Sequence, residues 1–407
     1  MPHKHSVVLL ILIILGVITG LTSSWFFGSE MLKFAWLGEL FLNALKMMIL
    51  PLIIAAVVTG VASMGDVRKL GRIGGITLGY YLVTTSIAVL IGLVMVNLIE
   101  PGAGLNITSG DVAAAQAKVA GKEDVGISDI ILSLVSPNLV ASALETQLVP
   151  IILWSIFLAA ALTTLGEKAK VVLDFFQGVN DAMMKVITWI MYFAPIGIFA
   201  LVAGRLGQAG GGEAFMQEVQ AVGWHVVTVL SGLAVHFVVL YLILVFIARR
   251  GRAYLAGMLR ALFTALGVAS SWVTLPTTMD CAQKNGVDNR AIDFVLPLGS
   301  TVNMDGTAMY EAAAVMFIAQ VYGIDMTLGQ QAIIFVTATL AAIGAAGVPE
   351  AGLVTMVIVL SAVGLPLDGI GLLLAVDWFL DRFRTATNVW GDSVGAAVAH
   401  RFIVRGT

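Results

Sequence analysis

Residues 341–352 read AAIGAAGVPEAG and lie in the middle of an otherwise apolar run from Ala332 to about Gly364. As one helix, a run of about 33 residues would be about 50 Å long, well beyond the hydrocarbon thickness of about 30 Å. Glycines and Pro349 break it. The halves, about 22 Å each, are too short to cross singly, so they describe a re-entrant hairpin whose two helices meet at a Gly/Pro tip. The segment from Leu262 to about Ala282 behaves in the same way, with SSWVTLP at 270–276 as its expected break.

Each hairpin precedes a longer helix, and these two helices hold nearly all the deeply placed polar groups. The first carries NMDGT at 303–307 and then Glu311; the second reads DWFLDRFRTATNVWGD at 377–392. The order hairpin, helix, hairpin, helix, with an Asn/Asp pair in each helix, indicates an internal repeat. Paired interrupted segments of this kind point to a binding site at mid-membrane. On the last helix Asp377, Asp381, Arg384, Asn388 and Asp392 fall within an arc of about 80° at 100° per residue. Ionised groups in a bilayer cost at least about 2.5–3.5 kcal/mol each, so this stripe must face protein, ions or a water-filled cavity. A structural ion-pair network is the plainer alternative. Arg382 lies off the arc and needs a different partner.

The rest of the chain supports a membrane setting. Of 407 residues, 59% are hydrophobic and only 12% charged, against about 25% charged in a typical soluble domain. A net charge of −3 without a basic stripe argues against a nucleic-acid partner. The single cysteine, Cys281, excludes an internal disulfide and a cysteine-built metal site. Runs long enough to cross lie near residues 6–27, 37–63, 75–100, 129–165, 172–204 and 220–248, with Ser136-Pro137-Asn138 interrupting the fourth and Pro51, Pro150 and Pro195 implying kinks or segmentation. The first is read as a span and not as a removed leader, because it is longer than a signal-peptide core. Lys4, Arg68, Lys69, Arg72, Lys168, Lys170, Arg249, Arg250, Arg252 and Arg260 fall on one side and Lys33, Lys118, Lys122 and Arg205 on the other, which places the N-terminus in the cytoplasm. The glycines of 207–212 read as a flexible linker.

Asp305 and Asp392 are acceptor-only carboxylates within apolar helices, and Asn303 and Asn388 add neutral oxygens. Hard oxygen ligands of this kind suit dehydrated Na⁺, joined by backbone carbonyls where NMDGT and the hairpin tips unwind; Ca²⁺ would call for more carboxylates in one cluster. An Asp-Gly turn is the structural alternative for NMDGT alone. Arg384 offers a planar fork for a carboxylate, and Asp381, one turn earlier, an acceptor for an ammonium. Ser271 and Thr307, with amide hydrogens at the tips, complete a set suited to an acidic amino acid. No nucleophile and base pairing and no H-E-x-x-H motif argues for an enzyme. His225 and His236 lie on nearly one face of the sixth span, without a nearby carboxylate in sequence, and read as packing or helix-helix hydrogen bonding.

NMDGTAMYEA (303–312), GAAGVPEAGLVTM (344–356) and AVDWFLDRFRTATNVWGDSVGA (375–396) closely resemble the excitatory amino acid transporters and their prokaryotic homologues in the dicarboxylate/amino acid:cation symporter family. The likeness runs from the second span to the end. It implies an all-α membrane protein with eight transmembrane helices, two re-entrant hairpins and inverted repeats. Each protomer of a homotrimer would pair a scaffold (1–74 and 128–206) with a transport domain (75–127 and 207–407) that moves as an elevator. The resemblance further implies Na⁺-coupled uptake of glutamate or aspartate at the cell membrane, with a C4-dicarboxylate symporter or a substrate-gated anion channel as alternatives. By position Arg384 would hold the substrate side-chain carboxylate and Asp381 the amino group. Asn388 and Ser271 would hold the main-chain carboxylate, with Ser270, Thr307 and Thr385 nearby and the tip from Val348 to Gly352 closing as the outer gate. Gly299, Asn303, Asn388 and Asp392 match one sodium site; Tyr81, Thr84, Thr85, Asn303 and Asp305 match another; Thr301 with carbonyls around Ala342, Ile343 and Ala345 would form a third. Glu311 matches the acid associated with H⁺ and K⁺ coupling in animal-type members. Arg382 matches an arginine that some archaeal relatives place on the first hairpin, at the position of Ala269 here. Trp272 and Val273 depart from the serine-rich first tip of most members.

Overall fold

The computed structural model describes residues 2–62, 71–105, 132, 134–144, 148–208, 212–344 and 351–404. Among the described residues every regular element is a helix. The elements are α1 Pro2–Phe27, α2 Ala35–Ala62, α3 Gly71–Ile99, α4 Leu139–Leu144, α5 Leu148–Thr164, α6 Lys170–Met191, α7 Ala194–Gln208, α8 Gly212–Phe246, α9 Arg252–Val268, α10 Ser271–Lys284, α11 Asn289–Val302, α12 Asp305–Val321, α13 Leu328–Gly344, α14 Ala351–Val363 and α15 Ile370–Val404. Ile11–Ala62, which holds α1 from Ile11 onward and α2, Ile73–Ile99 and Met216–Phe246 are long and apolar enough to cross a membrane. Gly166–Met191 and Ala194–Gly204 pass the same test only as a pair, bent by 60° at the break between them. Pro195, at the start of α7, explains that bend, since its ring cannot continue the preceding helix. The interruption at 136–138 is present too: Asn138 Oδ1 caps α4 by accepting from the Val140 and Ala141 amides.

One group of helices packs α1 along α7, and α2 against α5, α6 and α7. A second group packs α3 on α8 and α12, and sets α15 against α8, α9, α10, α11 and α12. The groups meet where α13 and α14 lie on α2 and α5, and where α15 lies on α7. Helices approach closely where a side chain is missing, the device that packs helices in lipid. At Gly92 of α3 an added Cβ would lie 2.5 Å from the Met309 carbonyl oxygen of α12.

Two of the three predicted breaks fall within the described residues of the last third. The first falls at Ala269, which is left-handed (φ 50°), and Ser270, whose Oγ caps α10 by accepting from the Val273 amide. It is therefore narrower than SSWVTLP: residues 271–276 are already helical, and α10 runs on through Pro276. The serine cap decides where the helix restarts, and a single internal proline does not override it. In the second hairpin α13 ends at Gly344 and α14 starts at Ala351; the tip, with Ala345 and Val348, lies outside the described residues. The third break is the two-residue step Asn303–Met304, which divides the NMDGT helix into α11 and α12.

Gly92→Val should clash with the α12 backbone and cost about 1–3 kcal/mol, whereas Gly79→Val, where nothing lies within 4 Å of an added Cβ, should stay within about 0.5 kcal/mol. Thermal unfolding midpoints of the detergent-purified variants report the difference.

Candidate functional site

The Asn303–Met304 step and the middle of α15 meet in the interior. Because the helix restarts at Asp305, its carboxylate sits at the N-terminus of α12, where free amides and the helix dipole favour negative charge. The Gly306 amide donates to Asn388 Oδ1 at 2.7 Å, so α15 supplies the partner that the broken helix lacks. The approach depends on Gly306: a Cβ there would lie 2.7 Å from the Arg384 carbonyl oxygen. Asn388 Nδ2 points to Met304 Sδ at 3.3 Å and Thr307 Oγ1 at 3.5 Å.

Two carboxylates flank Asn303. Its amide donates to Asp392 Oδ1 at 2.9 Å, while its own Oδ1 is buried without a hydrogen-bond partner. Gly391 lies between them, a Cβ there falling 2.7 Å from Asn303 Nδ2 and 3.3 Å from Asp305 Oδ2. Gly299 faces Asp392 Oδ1 and the Tyr81 hydroxyl, which donates to the Val295 carbonyl at 2.8 Å. Thr85 and Thr84 hydroxyls donate to Asp305 Oδ1 at 2.7 and 3.4 Å. Every one of these residues is buried. A buried carbonyl oxygen left orphaned between two carboxylates, with hydroxyls alongside, fits a hard monovalent cation. Among the described residues no three His, Cys, Asp or Glu side chains gather as a divalent or transition-metal site would require. Thr301 and Ile343 of the expected third cation set flank Gly60 of α2, where a Cβ would lie 3.7 Å from Thr301 Cγ2 and 3.9 Å from the Ile343 carbonyl oxygen. Ala342 is buried beside them in sequence.

Arg384, fully buried, sits one turn along from this cluster. Its Nη1 pairs with Asp377 Oδ1 and its Nη2 donates to Asp381 Oδ1, both at 2.9 Å. The guanidinium carbon lies 4.0 Å from the centre of the Tyr310 ring, a cation-π contact strengthened by the absence of water. Nε has no hydrogen-bond partner. The start of α14 covers the group, for a Cβ on Gly352 would come within 2.9 Å of Nη1. Ser270 and Ser271 are buried at the first turn of α10, which packs on α15, and Thr385 is buried with its hydroxyl turned to the Asp381 carbonyl. Of the expected substrate residues, Asp381, Arg384, Thr385 and Asn388 lie on α15 with Thr307 and Gly352 beside them, Ser270 and Ser271 begin the neighbouring α10, and Val348 lies outside the described residues.

Sequence reasoning missed two partners. Tyr310 gave a signal, three residues after Thr307 and so on the same face of α12. His236 gave none: its Nε2 lies 3.0 Å from Asp305 Oδ2, across 69 residues of chain. Helix-helix hydrogen bonding, one of the two roles expected of the pair, is thus what His236 does, with a carboxylate distant in sequence as its partner. His225 packs instead on Phe317 at 4.7 Å between ring centres. Glu311 is fully buried. Arg382, off the polar face, donates to the Leu266 and Gly267 carbonyls at the end of α9, capping a helix that ends one residue before the left-handed Ala269.

The sodium:dicarboxylate symporter family matches residues 9–402. The chain is 37% identical to excitatory amino acid transporter 3 of Mus musculus, over 96% of this chain and 83% of that protein. It is 38% identical to excitatory amino acid transporter 1 of Ambystoma tigrinum (91% and 77% covered) and 36% identical to an excitatory amino acid transporter of Caenorhabditis elegans (90% and 80% covered).

Arg382→Leu should free two carbonyls at the end of α9 and destabilise by about 1 kcal/mol, the lower range for a half-exposed charged donor; the unfolding midpoint is the readout, and Arg382→Lys should recover part of the loss.

Proposed function

Because the chain belongs to the sodium:dicarboxylate symporter family, we propose that it is a membrane symporter that takes up acidic amino acids, L-glutamate and L- or D-aspartate, with Na⁺. The observation that carries this reading is Arg384: a guanidinium without exposed surface, held by two carboxylates, with an unpartnered Nε beneath a hairpin end. Buried charge is costly even when paired, so its presence inside a membrane protein points to a functional site. When substrate enters, its side-chain carboxylate takes the guanidinium in two-point fashion. Asp381 is then released to accept the ammonium. Asn388 and Ser271 receive the main-chain carboxylate, with Ser270, Thr307 and Thr385 shaping the pocket. Gly352 lies against Arg384, so α14 must withdraw before substrate can arrive, which gives the second hairpin the role of a gate.

Coupling follows from charge. Asp305, Asp392, Asp377 and Asp381 outnumber Arg384 inside the protein, and an acidic amino acid adds a further negative charge. Sodium ions at Asn303 and Asp392, with Gly299 and Asn388, and at Asp305, with Tyr81, Thr84, Thr85 and Asn303, compensate both. Asn388 joins the ion and substrate sites through one amide, so filling either orders the other. A third ion at Thr301 and the Ala342, Ile343 and Ala345 carbonyls would tie hairpin closure to ion occupancy. Glu311 is the group through which H⁺ and K⁺ would be coupled.

The transport domain would be 75–127 and 207–407 and the scaffold 1–74 and 128–206, in a homotrimer with cytoplasmic N-termini. Elevator movement would carry α11, α13, α14 and α15 past α1, α2, α5 and α7, the helices through which the two groups touch. A C4-dicarboxylate would use Arg384 equally well, but it would leave Asp381 without an ammonium.

Purified protein in liposomes should accumulate radiolabelled aspartate only with an inward Na⁺ gradient, and excess succinate should compete poorly; uptake indifferent to Na⁺ contradicts the coupling. Arg384→Cys should weaken aspartate at least tenfold, the loss of a charge-assisted pair, while sparing neutral amino acids. Unchanged aspartate affinity would remove Arg384 from its role.

A further inference from the structure

His236 contributes a polar group to the ion site that neither the sequence pattern nor the assigned ligand set includes. Its position is built. Gly232 of α8 lies against α12, a Cβ there coming 2.7 Å from Met309 Sδ. One turn later His236 reaches back to the N-terminus of the same helix, where Nε2 meets Asp305 Oδ2 at 3.0 Å. Both side chains are fully buried. Asp305 Oδ1 is taken by the hydroxyls of Thr85 and Thr84. Its two oxygens are therefore held by different helices, one by α3 and the other by α8.

The Asp305 carboxylate accepts, so Nε2 donates to it. Nδ1 is buried with no hydrogen-bond partner, so the ring's hydrogen bond goes to Asp305 Oδ2 alone. Metal ligands elsewhere are oriented in the same way by a second layer of donors, whose removal costs about 10–100-fold in affinity.

We propose that His236 is a positioning residue of the cation site: its Nε2–H anchors Asp305 Oδ2 and so aims the carboxylate at a Na⁺ ion held with Thr84, Thr85 and Asn303. The inference rests on the sodium-coupled reading above. It separates donor reach from ring shape, because Gln can place an amide N–H near the Nε2 position and Asn is too short.

The test uses the full-length protein in detergent. Its unfolding midpoint is followed as NaCl replaces choline chloride at constant ionic strength, which reports Na⁺ binding without transport. The Na⁺ dependence of aspartate uptake in liposomes is measured in parallel. His236→Leu and His236→Asn are expected to raise the half-saturating Na⁺ concentration at least tenfold, with aspartate affinity at saturating Na⁺ unchanged, and His236→Gln to remain within about threefold of wild type. On an Asp305→Asn background, His236→Leu should add no further shift. If the leucine variant does not fold, the Gln and Asn pair decides. Equal Na⁺ dependence in wild type and His236→Asn, or equal impairment of the Gln and Asn variants, would overturn the proposal. Wild-type protein indifferent to Na⁺ in both assays would instead sink the sodium-coupled reading on which it stands.

Discussion

A charged guanidinium with no exposed surface cannot persist in an apolar interior unless acids surround it. Arg384 has Asp377 and Asp381 on its own helix and the face of Tyr310 above, and much of the last third of the chain is arranged to permit that. The Gly306 backbone lies directly on Arg384 because no side chain intervenes. The same approach lets Asn388 bond the Gly306 amide, and so brings Asn303 to Asp392. Removing any of these contacts would loosen the others, since they share one short stretch of α15.

Helix breaks make this possible. In a continuous helix the amides at 304–306 would be taken by carbonyls four residues back, as the Asn303 amide still is by Gly299. The step at Asn303–Met304 ends α11 and opens α12, exposing backbone groups only where protein can satisfy them, as a membrane setting demands. The first hairpin follows the same rule with Ser270 as its cap and Arg382 on the carbonyls behind it. That arginine comes from α15, so the helix with the polar stripe also fastens the hairpin beside it.

Much of this was legible in the sequence because it depends on length, periodicity and breakers. The run from Ala332 to Gly364 exceeds one crossing, the stripe on α15 follows from helical spacing, and the Asn/Asp pairs announce oxygen ligands. The first break was placed too broadly, since Pro276 is a louder signal than a serine cap and yet the helix runs through it. His236 could not be foreseen: its contact with Asp305 joins α8 to α12 across 69 residues, and no local pattern encodes it. Tyr310 lay between these cases, on the right face of α12 but with nothing to single out its ring as the support of Arg384.

If cations and an acidic amino acid share one buried network, their affinities must be linked. The most direct measurement is the equilibrium dissociation constant of aspartate for the purified protein, taken across a range of Na⁺ at constant ionic strength with choline as the replacement. The account predicts that log Kd falls as log[Na⁺] rises, with a slope steeper than about one, because more than one ion is bound with each substrate. A Kd that does not change with Na⁺ would contradict it.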